Sequence, residues 1–324
     1  MTTEFYEPIQ KDLNIVEEKL SSLGKKASAD AFETLGELLE DVLEVPGKRT
    51  RPAITLLASK FYPYTHDHPH IMATAVELLH IATLIHDDTV DNSDVRRGKA
   101  TISSTWGKDI ALLLGDYVFA TSATFVCDTN NVRVIKRFSE TIMELSSGEL
   151  AEILDAFKWD LGRNPYWRRI YHKTASLFCT SAESGAILSG APETDVQALR
   201  NYGYNVGMAF QIIDDILDFS GTEEEFGKPV GNDLVQGTLT LPSILLLEQY
   251  PNNNPIIKLF QDGNSNLNLQ KSIEMINNSS IIQESYGVAK DFCDKAIASI
   301  NHLPKSEYKN SLITLADFIM ERRK

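Results

Sequence analysis

Between its proline and glycine clusters, this 324-residue chain repeats apolar residues at helical spacing almost from end to end, and period-2 alternation is hard to find. The breaks fall at 45–47, 63–69, 162–165, 189–192, 222–237 and 250–268, so they punctuate helices rather than interrupt them. In segments 74–86, 110–126, 132–153 and 199–219, apolar residues cover more than half of the helix circumference, as helices inside a bundle do. No break is long enough for an interdomain linker and the composition does not shift. We therefore expect an all-α fold, with residues 1–324 forming a single large helical domain.

Charge and cysteine content narrow the function. A formal net charge of −14 argues against non-specific nucleic-acid binding, which needs an excess of Lys and Arg on the contacting face. Anionic ligands must then meet local basic patches or metal ions. Cys127, Cys179 and Cys293 are odd in number and widely spaced, which suits a reducing, cytoplasmic protein better than a disulfide framework. The first twenty residues lack the basic region and apolar run of a secretory signal. The apolar stretch 110–126 is broken by Asp116 and diluted with Thr and Ser, so we expect a buried core helix there, and at most peripheral membrane contact.

Two acidic clusters carry the chemistry. His86-Asp87-Asp88-Thr89-Val90-Asp91 ends an otherwise apolar helix, and Gln211-Ile212-Ile213-Asp214-Asp215-Ile216-Leu217-Asp218 repeats the D-D-x-x-D spacing far downstream. Asp87 and Asp91 share one helix face, as do Asp214 and Asp218. Like charges at that spacing destabilise a helix, and carboxylates beside apolar surface lose hydration, so a divalent cation relieves both costs. Oxygen ligands without Cys or paired His indicate a hard ion, and Mg²⁺ combines one or two carboxylates with water and substrate phosphates. A single cluster would more simply be a solvated acidic helix end, but two on strongly apolar helices are not. An EF-hand loop is excluded because the alternating ligands, central Gly and terminal Glu are missing.

Basic residues flank the first cluster. Arg96 and Arg97 follow it and can clamp phosphate oxygens, while Lys48, Arg49 and Arg51 crowd a short loop before a helix. A helix N-terminus there also favours an anion.

These residues resemble the trans-isoprenyl diphosphate synthases, the polyprenyl synthetase family, over about residues 40 to 245. His86 to Gly98 is similar to that family's first aspartate-rich motif, Gly47 to Pro52 to its isopentenyl diphosphate loop, and Glu77-Leu78-Leu79-His80 to the helix bearing its ligand histidine. Lys173-Thr174, Gln211 with Asp214 to Asp218, and Gly227-Lys228 to Leu234 follow in the family's order. Two positions depart from it: Glu152 stands where many relatives have Gln, and Thr238 where many have Lys.

The resemblance implies an isoprenoid-synthase bundle around a central active-site cavity, and a head-to-tail prenyl transfer from a farnesyl- or geranylgeranyl-type allylic diphosphate to isopentenyl diphosphate. It assigns Asp87, Asp91, Asp214, Asp215 and Asp218 to Mg²⁺, three ions per site, with Asp88 in the same catalytic cluster. Arg96, Lys173 and Lys228 complete the allylic diphosphate clamp. Lys48, Arg51, His80 and Arg97 bind isopentenyl diphosphate, and Thr174 and Gln211 stabilise the allylic cation by their dipoles. A class I terpene cyclase also ionises a diphosphate on aspartate-bound Mg²⁺, but would not need Lys48, Arg51 and Arg97. A non-catalytic partner subunit would have no need of both aspartate clusters. The resemblance further implies a homodimer or a heterodimer. Leu79, Ala82 and Thr83 lie one to two turns before Asp87, where small Ala82 leaves room for a long product of about C30 to C40, as used for quinone side chains, and Met143 or Leu145 could floor the tunnel.

Overall fold

A computed structural model describes residues 4–43, 47–96, 98–220, 230–262 and 266–321. After a 3₁₀ turn, Glu4–Ile9, come helices α1 (Gln10–Asp30), α2 (Glu33–Leu43), α3 (Thr50–Ser59), α4 (His68–Val90), α5 (Ile102–Trp106), α6 (Lys108–Asp128) and α7 (Val132–Asp155). Helix α8 (Arg163–Ile170) runs through a π turn, Tyr171–Ala175, into α9 (Ser176–Leu188), and α10 (Glu193–Ser220) follows. Further helices span Asn232–Val235, Leu241–Gln249, Pro255–Asp262, Asn266–Asn277, Ile281–Ser299 and Glu307–Glu321. Among the described residues the sole strand pairing is a ribbon, Val95–Arg96 against Lys99–Ala100. The all-α expectation holds. Helix starts follow local chemistry: Thr101 accepts from the Ser104 N–H ahead of α5, and the Ser243 hydroxyl accepts the Thr240 N–H at 2.8 Å at the start of Leu241–Gln249, with Pro242 in its first turn.

The chain packs as two compact units, Met1–Phe138 with Thr180–Arg200 and His302–Leu312, and Ser139–Cys179 with Asn201–Asn301 and Ile313–Lys324. In the first unit, α4 forms the core and packs most extensively on α6. Met72, Ala73, Ala75, Val76, Leu78 and Leu79 are fully enclosed. Gly115 permits this approach, because a Cβ there would lie 2.2 Å from the His86 Nε2. In the second unit, α10 lies against the π turn and α9, where a Cβ on Gly207 would come within 2.5 Å of the Ala175 Cα.

Helix α6 corrects the expectation of a buried core helix over 110–126. It is long and apolar enough to cross a membrane by length and composition, at a mean hydropathy of 1.7, yet only 33% of that apolar window is buried. Ala111, Leu114, Gly115, Val118 and Ser122 face inward, while Leu112, Leu113 and Tyr117 are exposed. Helix α7 likewise turns Met143, Leu150 and Leu154 outward, whereas Leu145 is buried. Apolar content on all sides reports what a helix can bury, but the neighbours available decide how much it does.

Candidate active site

The first aspartate cluster lies where α4 ends. Asp87 is half-buried, Asp88 buried, and Asp91, which closes the helix through its N–H to the Asp87 carbonyl at 2.8 Å, is exposed. Asn92 takes a left-handed conformation at φ 53°, and the Ser93 N–H returns to the Asp88 carbonyl. That reversal sends out the Val95–Ala100 ribbon and brings Arg96 onto Asp88, its Nε 2.7 and 2.8 Å from the two carboxylate oxygens. Asp88 thus orients Arg96, while Asp87 and Asp91 share a more open face. His86 meets the Leu112 carbonyl at 3.2 Å and Asp116 at 3.5 Å, which fixes α6 against this helix end.

Three expected residues sit around α3 and α4: Lys48 is exposed, and Arg51 and His80 are partly buried. Their neighbour Arg49 has a structural partner instead. Its Nε lies 2.6 Å from Glu17 and its NH1 2.7 Å from the buried carboxylate of Glu77. Sequence reasoning grouped the three basic residues and had no signal for which would turn inward. Arg97 and Lys228 lie outside the described residues.

The second cluster occupies the last turns of α10. Asp214 and Asp218 are partly buried and Asp215 is buried. Asp215 uses both oxygens on neutral donors: the Tyr166 hydroxyl at 2.7 Å and the Gln211 side-chain amide at 2.9 Å. The Gln211 carbonyl in turn accepts from the Thr174 hydroxyl at 2.5 Å. Asp218 receives the Gly231 N–H on its backbone carbonyl, at 2.8 Å, and the Asp233 N–H on its side chain, at 3.3 Å. Burial, then the Asp233 carboxylate, pushes the Asp215 carboxyl up to about 7. Burial, then Asp233 and Asp215, pushes Asp218 up to about 8. Carboxyls left raised in this way, Asp215 even with Arg169 nearby, are short of positive charge, so they fit a hard cation. Among the described residues no three Asp, Glu, His or Cys side chains close around one point. An ion bound here would complete its shell with water and substrate oxygens, as Mg²⁺ does.

Lys173 and Thr174 sit in the π turn, a form often found at functional positions. Lys173 lies 3.0 Å from Glu149 and 2.9 Å from Glu152. Glu152, the departure from the family's glutamine, also meets Arg169 at 3.4 Å. At the other departure, Thr238 is buried and its turn is pinned from both sides, by Phe157 N–H on the Gly237 carbonyl at 2.9 Å and Arg169 on the Leu239 carbonyl at 2.6 Å. Tyr166 and Asp233 were not singled out in the sequence. Asp233 sits inside a motif quoted above, but an aromatic in the short α8 gives no signal.

The Polyprenyl synthetase family model matches residues 32–278. The chain belongs to the polyprenyl synthetase family. As a member it is a trans-polyprenyl diphosphate synthase, a prenyltransferase, of a family that is generally magnesium-dependent. It is 38% identical to heptaprenyl diphosphate synthase component 2 of Geobacillus stearothermophilus over 98% of each chain. Its fold matches heptaprenyl diphosphate synthase of Staphylococcus aureus with a TM-score of 0.92 and 35% identity, over 98% of this chain and 99% of that one. A polyprenyl synthase of Caulobacter crescentus CB15, solved with calcium and isoprenyl diphosphate, matches with a TM-score of 0.90 and 30% identity, over 99% of this chain and 98% of that one. The helices are therefore those of an isoprenoid-synthase bundle.

Proposed function

We propose that this synthase extends an allylic diphosphate of the farnesyl or geranylgeranyl type with isopentenyl diphosphate to a product of about C30 to C40, with the tail running past Ala82 one turn or more before Asp87. The observation that carries the reaction is the hydrogen-bonded row Thr174–Gln211–Asp215 beside raised, cation-seeking carboxyls. Asp87 and Asp91 hold two Mg²⁺, and Asp214, helped by Asp215 and Asp218, a third. Bound metal makes the allylic diphosphate a better leaving group. Arg96, Lys173 and Lys228 grip that diphosphate, and Lys48, Arg51, His80 and Arg97 hold isopentenyl diphosphate. Thr174 and Gln211 offer oxygen dipoles to the allylic cation, and apolar walls keep water from it. The departing pyrophosphate takes the proton lost after condensation, so no protein base is required.

Product length draws support from the enclosed, small Ala82 and from relatives named heptaprenyl and solanesyl diphosphate synthases. A supply of quinone side chains from the cytoplasm belongs to the same reading, and Cys127, Cys179 and Cys293, none of them in a disulfide, suit a reducing compartment. A second reading makes the chain the catalytic subunit of a heterodimer. It is favoured by the relative named component 2 and by the open apolar face of α6, which a homodimer would also cover. Purified chain alone, given Mg²⁺, farnesyl diphosphate and radiolabelled isopentenyl diphosphate, should yield products of about C30 to C40. Products that stop at C15 or C20 would sink the length assignment, and activity only on adding a second subunit would establish the heterodimer.

A further inference from the structure

Tyr166 is buried in α8, with 2% of its surface exposed. Its ring packs beside Trp167, at 4.8 Å between centroids, with the Arg169 guanidinium 5.7 Å from its centre. Its hydroxyl has a single proton and two neighbours. The Leu241 backbone N–H, at the start of helix Leu241–Gln249, lies nearby, and the hydroxyl donates to Asp215 at 2.7 Å. A hydroxyl rotates to suit its surroundings, and a buried one beside a carboxyl oxygen turns its proton onto that acceptor.

Asp215 accepts the Gln211 amide N–H at 2.9 Å on its other oxygen. Glutamine amides are near-symmetric in shape, and their orientation is decided by what each end meets. With the Tyr166 hydroxyl on one Asp215 oxygen, the other takes the NH₂ end, which leaves the carbonyl end to accept from Thr174.

We propose that Tyr166 is a positioning residue for the condensation: its buried hydroxyl orients Asp215, which locks the Gln211 amide with its oxygen toward Thr174. A reversed amide would present N–H dipoles, which repel the allylic cation where an oxygen attracts it. This rests on the roles given above to Thr174 and Gln211. Residues 166 and 174 come from one stretch of sequence and 211 and 215 from another, so the order of this row is invisible until the helices are packed.

The test uses the full chain with Mg²⁺, farnesyl diphosphate and isopentenyl diphosphate, and compares Tyr166→Phe, Gln211→Ala and the double variant. The expected result is a kcat lowered about 10- to 100-fold in Tyr166→Phe at unchanged KM for both substrates. The same change in the Gln211→Ala background should cost almost nothing, because no amide remains to orient. A purely structural tyrosine would lower kcat by the same factor in both backgrounds, and that outcome, or an unchanged kcat, overturns the proposal. Full kcat in Gln211→Ala would instead remove the underlying role of Gln211, a separate failure. Should Tyr166→Phe not fold, the unsubstituted protein still answers: the Gln211 side-chain amide should give two resolved, slowly exchanging proton resonances. Rapid exchange with water would overturn the locked orientation.

Discussion

Raised carboxyls in the second aspartate cluster make Mg²⁺ binding a proton-releasing event. Asp218 stands at about 8 in the folded, metal-free chain against 3.8 as its ordinary value. A ligating carboxylate must be deprotonated, so below about pH 8 each Mg²⁺ that engages Asp218 expels about one proton. Apparent affinity should then rise about tenfold per pH unit from pH 6 to 8, roughly a hundredfold in all, and level off above. Stability runs in the opposite sense without metal. The folded carboxyl holds its proton where the unfolded one has lost it, so this contribution is greatest near pH 4, declines through the window up to about pH 8 and is flat beyond. The ceiling is about 1.4 kcal/mol per pH unit for one group, which for a chain of this size moves the melting midpoint by on the order of 3 °C. Thermal melts in EDTA and in Mg²⁺ from pH 6 to 9, with Mg²⁺ titrations in buffers of different ionisation enthalpy, read both quantities. Asp218→Asn should remove the slope above about pH 7 and leave only the share of Asp215 below it. A metal-free midpoint that stays level or climbs between pH 6 and 8, or an affinity indifferent to pH, would refute the reasoning.

Asp87→Ala or Asp214→Ala should lower turnover by at least about a hundredfold, while the melting midpoint without metal holds or rises as one of several repelling carboxylates is removed. Calorimetry alongside steady-state kinetics checks both halves, and near-wild-type turnover in either variant contradicts the metal assignment. Ala82→Phe should shorten the product ladder on thin-layer chromatography and leave the first condensation intact; an unchanged ladder rules out a tail path beside Ala82. Arg49→Met should destabilise the chain by about 3–5 kcal/mol in urea melts, because it strands Glu77, whose side chain is 5% exposed. Adding Glu77→Leu should recover much of that loss, and no recovery would mean the pair is not the cause.

Helix spacing, the two aspartate clusters and the ordered motifs were legible because each depends on near neighbours in the chain. A D-D-x-x-D pair shares a helix face by geometry alone, and the side chains of Asp87 and Asp91 emerge as that spacing requires. What the sequence could not distinguish were roles set by distant partners. Arg49 and Lys48 are adjacent and equally basic, yet Arg49 turns to Glu17 and Glu77 while Lys48 is exposed. Asp87 and Asp88 look interchangeable until Arg96 folds back on one of them. Apolar content overstated the burial of α6 and α7 for a related reason: which face is covered depends on helices elsewhere in the chain.

The π turn at Tyr171–Ala175 bears on how this chain can change over evolutionary time. One extra residue is wound into the continuous helix from Arg163 to Leu188, and it offsets everything before the turn by about 100° from where an unbroken α-helix would place it. Tyr166 and Arg169 lie on one side of that offset, Phe178 on the other. Deleting a single residue there would restore ordinary backbone pairing and make a more regular helix. It would also swing Tyr166 away from Asp215 and Arg169 away from Glu152. A one-residue loss in this helix would therefore leave a perfectly good helix behind and cost the site its geometry.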